Sequence, residues 1–405
     1  MVEFDFVPLA ASADPYAMYR EMRSTGRVLR SSTGSVIVHR YVDVRETHGD
    51  YEAFSMSGVD IAARLMGAAA ADDGDVDTVD AEADSFVGAN TMLTADPPDH
   101  ERLRRVVNRA FTPRAIAAIE PRVREVAREL LEPLAKGEPF DLVADFAAPF
   151  PTIVIAELLG IPPEDGDQFR AWSEAVTGTD VRNRLTPEDH QRAGTDLRRY
   201  LADQVAARKG APTDDLIGRM VVANEDQIMS DAEVVAACVL LLIAGNETTM
   251  RLISNMTLAV SRNRDQLERL VADPELITSG IEETLRFDGP VQMLFRAAKH
   301  DHVVGDVEIP QGEFVLTMLG AANRDPEAFV DPDVFDVGRT DNLHIAFGHG
   351  IHYCLGAPLA RRETRIAFEE LLQMAPALEV LTADEDLEYP PMGLLRSPRS
   401  LVVTG

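Results

Sequence analysis

The longest apolar run in the chain, VVAACVLLLIAG at residues 234–245, stops abruptly at Asn246, Glu247, Thr248 and Thr249 before apolar residues return. Ser230 followed three residues later by Glu233 is a capping-box pattern, so the run predicts a helix over 231 to about 263. Helical patterns also cover 98–111, 113–134, 274–287 and 357–374. RVLRS and VIVHR, joined by the turn residues STGS, predict a β-hairpin over 27–40, and FVLTML (314–319) and SLVVT (400–404) predict shorter strands. No internal repeat or low-complexity linker divides the chain. Residues 72–84 carry seven acids and no base and read as a solvated loop. The expected fold class is mainly α with small β-sheets at the edges.

Composition narrows the setting. With 405 residues, 45% of them hydrophobic, the chain can bury a large core. The apolar run at 234–245 falls short of the roughly 20 residues that span a bilayer. MVEFDFVPLAAS at the N-terminus has no basic region before an apolar stretch, so neither a signal peptide nor an anchor is expected. Cys238 and Cys354 cannot build a disulfide framework and fit a reducing cytosol. Lys and Arg number 39 against 68 Asp and Glu, a net charge of −29, which argues against nucleic acid or an anionic membrane surface as partner. A soluble, cytoplasmic protein is expected.

The polar break in the apolar helix needs a cause. Gly245 alone costs roughly 1 kcal/mol against Ala in a helix interior, and a buried carboxylate without a partner costs more. A second unusual segment is FGHGIHYCLGAPLAR (347–361), where glycines at 348, 350 and 356 surround Cys354 and a helical pattern follows at once. Glycine lets the backbone turn tightly and approach a neighbour closely. A cysteine at a helix N-terminus has its thiolate favoured by the dipole and nearby N–H donors. Zinc is disfavoured, because no CxxC or paired Cys/His spacing accompanies Cys354. A cysteine nucleophile would have His352 as its base, only two residues away in a tight loop. A small buried residue in a glycine-rich turn is the plainest reading. An axial thiolate ligand to haem iron is the remaining one, the glycines making room for the ring.

FGHGIHYCLG matches the FGxGxHxCxG haem-binding loop of the cytochrome P450 superfamily at every fixed position, and the chain resembles the soluble bacterial branch over essentially its whole length. AGNETT (244–249) resembles the family's oxygen-binding helix motif, and ETLR (283–286) its ExxR motif. PDVFDVGR (332–339) resembles the segment whose arginine completes a buried Glu–Arg–Arg cluster, and DPPDHERLRR supplies an HxxxR pair, His100 and Arg104. The resemblance implies one haem domain over 1–405, with a β-rich N-terminal lobe and a larger helical lobe. Haem b (iron protoporphyrin IX) would lie between the central helix and the cysteine loop. Cys354 would be the proximal iron ligand, and His100, Arg104, Arg296 and His352 would bind the haem propionates. Glu283, Arg286 and Arg339 would stabilise the fold. Ala244 and Gly245 would leave room for dioxygen, Thr248 would hydrogen-bond it, and Glu247 would relay protons from solvent. Alternatively, Thr248 and Thr249 bond back to helix carbonyls and bend the helix. Cys238 reads as a core residue.

The implied activity is that of a monooxygenase, a hydroxylase that inserts one oxygen atom from O2 into a small to medium apolar molecule. A thiolate ligand favours O–O cleavage, and a carboxylate–hydroxyl pair supplies the protons that cleavage consumes. Electrons would come from an acidic ferredoxin and its reductase, because the chain is too short to carry a fused reductase. A peroxide-driven peroxygenase and a non-catalytic haem carrier or sensor are the alternatives, and the pair Glu247 and Thr248 weighs against both. The pocket is expected from parts of 57–93, from Leu241 and Ala244, and from 291–294 and 393–395. At about 100° per residue, Arg102, Arg105 and Arg109 fall on the helix face opposite His100 and Arg104. With Arg361, Arg362 and Arg365 they would form a basic patch near Cys354 where the ferredoxin docks. No nucleic-acid or membrane partner is expected, and the chain is expected to be a monomer.

Overall fold

The helix anticipated from the capping box spans Asp231–Arg262. Ser230 Oγ accepts from the Glu233 N–H at 3.2 Å, and the Glu233 carboxylate accepts from the Ser230 N–H at 2.7 Å. Two donors that a helix start leaves without partners are thereby satisfied. Every residue from Val234 to Leu242 is buried, because helices Pro149–Leu159, Pro187–Gly210, Leu276–Asp288 and Ala357–Met374 pack around this one. That surround explains why its apolar residues run all the way round. This helix and Leu142–Leu159 each contain an 18-residue stretch apolar enough to cross a membrane, and each stretch is mostly buried among other elements.

The computed structural model describes residues 2–4, 14–31, 34–57, 89–177, 185–224, 226–390 and 394–405. The acidic stretch 72–84 lies outside the described residues. Helices Asp99–Ala110, Leu276–Asp288 and Ala357–Met374 agree with expectation to within two residues. The helix expected over 113–134 is divided into Pro113–Ala118 and Glu120–Ala135, with the break at Ile119. Pro121 causes it: proline has no N–H to donate, and its ring opposes the carbonyl one turn back, so it starts a helix better than it continues one.

The strands are β1 (Val2–Phe4), β2 (Val28–Ser31), β3 (Val36–Val38), β4 (Phe54–Ser55), β5 (Phe140–Asp141), β6 (Leu294–Ala298), β7 (His302–Val304), β8 (Val307–Ile309), β9 (Phe314–Thr317), β10 (Glu379–Val380) and β11 (Val402–Thr404). The expected hairpin is β2–β3, antiparallel with Val28 opposite Val38. It belongs to a six-stranded sheet in the order β1-β2-β3-β9-β6-β4, beside a three-stranded sheet β10-β11-β5 and the pair β7-β8. All three residues of β3 are buried, as a continuous Val-Ile-Val run in a strand covered on both faces requires. The main core forms around the central helix, and two smaller clusters line the six-stranded sheet. In that sheet β6 sets Arg296 opposite Val315 of β9, which directs a charged side chain into the interior.

Candidate active site

Gly348 (φ 74°) and Gly350 (φ 72°) shape the loop before the Ala357–Met374 helix, both in the left-handed region that favours glycine. At Gly350 a Cβ would come within 2.5 Å of the His48 carbonyl oxygen, so only glycine lets the loop press against the Tyr41–Gly49 helix. The Cys354 N–H donates to the Phe347 carbonyl at 2.9 Å and closes the loop. Cys354 itself is half-buried. Burial pushes its thiol up; the N–H groups of Gly356 and Ala357 and the charges of Arg104 and Arg361 pull the other way without overcoming it. A lasting thiolate here needs a cation on the sulfur itself.

The residues expected to hold propionates divide into two groups. Arg104 donates to the carbonyls of Ile351 (2.9 Å) and Tyr353 (2.6 Å), so it braces the loop beside Cys354. His100, one turn earlier, is 2% exposed and neither ring nitrogen has a partner. Its ring meets that of His352 edge to face at 4.5 Å. Arg296 is also 2% exposed, and it touches Met56 Sδ, the Phe295 carbonyl and His48 Nδ1, with no carboxylate among its bonded partners. Asp96, the acid that acts on Arg296, is engaged by Ser55 and Met56. Burial lowers Arg296 to about 10 and His352 to about 4. A buried guanidinium without a counter-anion acts on His352, which in turn meets His100 with its two idle nitrogens, and together they make a site built for anions that the chain does not supply. Haem propionates fit that need. His48, buried and bonded through Nε2 to Thr317 Oγ1 at 2.8 Å, completes the cluster; no motif in the sequence signals it.

Glu283 and Arg286 meet at 2.8 Å with both side chains 0% exposed, and Arg339 joins Glu283 at 3.0 Å. Arg286 also donates to the carbonyls of Asn323, Pro332 and Val334. This is the buried cluster that ETLR and PDVFDVGR imply. Neighbouring Glu282 carries the link onward: burial pushes its carboxyl up, but bonds from Arg361 and His344 hold it down at about 2. Arg361 thereby ties the cysteine helix to the Leu276–Asp288 helix.

On the central helix, Ala244 is exposed between the half-buried Ile243 and Gly245, and a Cβ on Gly245 would meet nothing within 4 Å. The helix therefore opens onto free space at this turn. The Thr248 hydroxyl donates to the Ala244 carbonyl at 2.6 Å, the back-bonding alternative. Glu247 accepts from Arg251 at 2.5 Å, and Arg251 donates onward to Ser397 Oγ at 3.1 Å. Thr249 bonds Glu363, whose carboxyl burial raises well above the usual range. Glu363 lies on the helix that begins just after Cys354, so this contact pins the polar turn to the cysteine helix. Arg251, Ser397 and Glu363 escaped sequence reading because each is one ordinary polar residue outside the motifs.

Two expectations are revised. The basic patch is largely neutralised: Arg102 pairs with Asp99 and Glu233, Arg361 with Glu282, Arg362 with Glu120, and Arg365 with Glu120 and Glu369. Glu233, Glu282 and Glu120 come from other helices, which a helical projection of one segment does not show, and Asp99 and Glu369 lie one turn away on the same helix. Arg105 and Arg109 are exposed and have no ion-pair partner among the described residues. In the expected pocket lining, Gln292 and Met293 are buried in the fold, Gln292 held by the Tyr19 hydroxyl at 2.7 Å. Val291, Leu294, Leu394 and Leu395 are half-buried, whereas 58–88 and 393 lie outside the described residues.

A sequence model of the Cytochrome P450 family matches residues 195–401. Cytochrome P450 107B1 of Saccharopolyspora erythraea is 42% identical over 314 residues, 77% of this chain and 76% of that protein. The vitamin D(3) 25-hydroxylase of Pseudonocardia autotrophica is 42% identical over 317 residues, 77% of each. Among solved structures, CYP109E1 from Bacillus megaterium in complex with testosterone has a TM-score of 0.83 at 34% identity, covering 96% of this chain and 99% of that one. The mainly helical fold with small sheets is the fold of those structures. The chain belongs to the cytochrome P450 family. It is an oxidoreductase of the monooxygenase type, and the family's cofactor is haem b.

Proposed function

We propose that this enzyme hydroxylates a small to medium apolar molecule, with Cys354 as the residue that would hold the haem iron and with Glu247 and Thr248 handling protons. The observation that carries the reading is the anion-shaped deficit around Arg296, His100 and His352 beside the Cys354 loop. Bound haem supplies the dioxygen chemistry. Cys354 anchors it through sulfur, the Arg296 cluster takes its propionates, and Arg104 holds the loop in place. Because a hydroxyl has one proton, and Thr248 spends it on Ala244, its oxygen faces the free space as an acceptor. It keeps a protonated group in place while Glu247, 20% exposed, exchanges protons with solvent. The whole chain acts as one haem domain in the cytoplasm.

Leu241, Ala244, Val291, Leu294, Leu394 and Leu395 give the pocket an apolar lining. The relatives' names support a polycyclic or similarly extended hydrocarbon skeleton: one is a vitamin D(3) hydroxylase, and one structure holds testosterone. The electron donor is an acidic ferredoxin with a separate reductase, docking on Arg105 and Arg109. The test is product formation with a ferredoxin–reductase chain, with hydrogen peroxide, or with neither. Product with the electron chain alone supports the reading. Equal turnover with peroxide alone, or no product under any condition with compounds that bind, contradicts it.

A further inference from the structure

Inside the central helix, away from its end turns, only two residues are charged: Glu247 and Arg251. They stand one turn apart with the acid on the N-terminal side, the favourable order. Both are largely withdrawn from water, their side chains 20% and 10% exposed. Arg251 is gripped at both ends, one terminal nitrogen on Glu247 at 2.5 Å and the other on Ser397 Oγ at 3.1 Å. Its Nε is buried and unbonded, a spare donor for a water or for a side-on hold on the same carboxylate.

Ser397 is not a free anchor. In the same segment the Arg396 N–H donates to the Pro290 carbonyl at 2.8 Å, and the Leu394 carbonyl accepts from the Gln292 N–H at 2.8 Å. Leu395 bridges to Val291. Segments 394–397 and 290–292 are therefore joined into one piece, and that piece carries Val291, Leu394 and Leu395 of the proposed pocket lining. The chain of contacts runs from pocket lining through Ser397 and Arg251 to the Glu247 carboxylate.

We propose that Arg251 is a positioning residue for Glu247, and that it ties proton delivery to the seating of the 394–397 segment against the pocket. A lone glutamate samples several rotamers. The planar guanidinium fixes one carboxylate orientation, and its second bond passes any shift of Ser397 to Glu247. Substrate that packs against Leu394 and Leu395 thus sets the alignment of the acid. This rests on the reading of Glu247 as the proton carrier.

The experiment compares Glu247→Gln, Arg251→Met, Arg251→Lys and Ser397→Ala holoenzymes. Arg251→Met should leave substrate affinity by spectral titration unchanged and lower kcat about 10²-fold, the scale of a small misplacement of a catalytic group. The solvent deuterium isotope effect on kcat should rise. Arg251→Lys should recover only part of the rate, because it keeps a cation at the same turn without the planar two-ended hold, and Ser397→Ala should shift both readouts less, in the same direction. Added to Glu247→Gln, Arg251→Met should cost no further rate. In the resting proteins, the unfolding midpoints of Glu247→Gln, Arg251→Met and their double variant should be non-additive. If Glu247→Gln slows turnover but Arg251→Met leaves kcat and isotope effect at wild type, the positioning role falls and the reading of Glu247 stands. If Glu247→Gln itself is silent, both fall. Should Arg251→Met fail to fold, Ser397→Ala decides: wild-type kcat and isotope effect there overturn the proposal.

Discussion

Thr248 and Ala244 are joined across one turn of the central helix by a 2.6 Å bond from hydroxyl to carbonyl. That bond consumes the only hydroxyl proton, so Thr248 can hold a ligand only by accepting from it. Thr248→Ala should therefore uncouple the enzyme without stopping it: reductant is still consumed, hydrogen peroxide is released, and product per reductant falls several-fold. Thr248→Ser should restore coupling. Product and peroxide assayed in the same reaction check this, and normal coupling in Thr248→Ala would remove the threonine from the mechanism.

On the proposed reading of the Arg296 cluster, haem is a stability ligand. Removing haem leaves a buried guanidinium without an anion, so the haem-free protein should melt well below the loaded one. Arg296→Met should narrow that gap from both sides, weakening haem retention while relieving the haem-free form. Calorimetry of loaded and extracted proteins measures it; an unchanged gap would place the propionates elsewhere.

Glu283 sits at the junction of two arginines with its side chain fully buried. Glu283→Ala leaves both guanidiniums unpaired and should cost about 3–5 kcal/mol, the usual loss when one partner of a buried pair is removed. Denaturant titration of the purified variant checks it, with a recovery of little folded protein as the extreme form of the same result.

Arg105 and Arg109 are the arginines of the expected patch left without partners among the described residues. Charge reversal at both should slow ferredoxin-driven turnover about ten-fold or more at low salt and flatten its dependence on ionic strength. Dithionite reduction and substrate titration should stay normal. Reversal at Arg362, already held by Glu120, should act on stability more than on docking. Ferredoxin-supported rates indifferent to both Arg105 and Arg109 would put the docking surface elsewhere.

Local chemistry was legible in the sequence, and long-range pairing was not. The capping box of Ser230 and Glu233, the glycines around Cys354 and the apolar run at 234–245 each declare themselves within a few residues, and the structure contains all three. Pro121 signals the break at Ile119 as well, but a continuous helical pattern on either side masks it. The Arg251–Ser397 bond joins residues 146 apart in the chain, and neither carries a motif. Helical angles gave Arg102 a direction without revealing that Glu233, from another helix, waits there. His48 and Arg296 meet only because a helix and a strand pack together, so nothing short of the fold brings them into one site.

The central claim is that Cys354 binds the haem iron through a thiolate, and the carbon monoxide complex of the reduced protein tests it most directly. Wild-type protein should show the strongly red-shifted Soret band that thiolate-ligated haem gives with carbon monoxide. Cys354→His should still take up haem through the Arg296 cluster but lose that band for one at shorter wavelength. A red-shifted band that persists unchanged in Cys354→His, or one absent from the wild-type protein, would contradict the assignment.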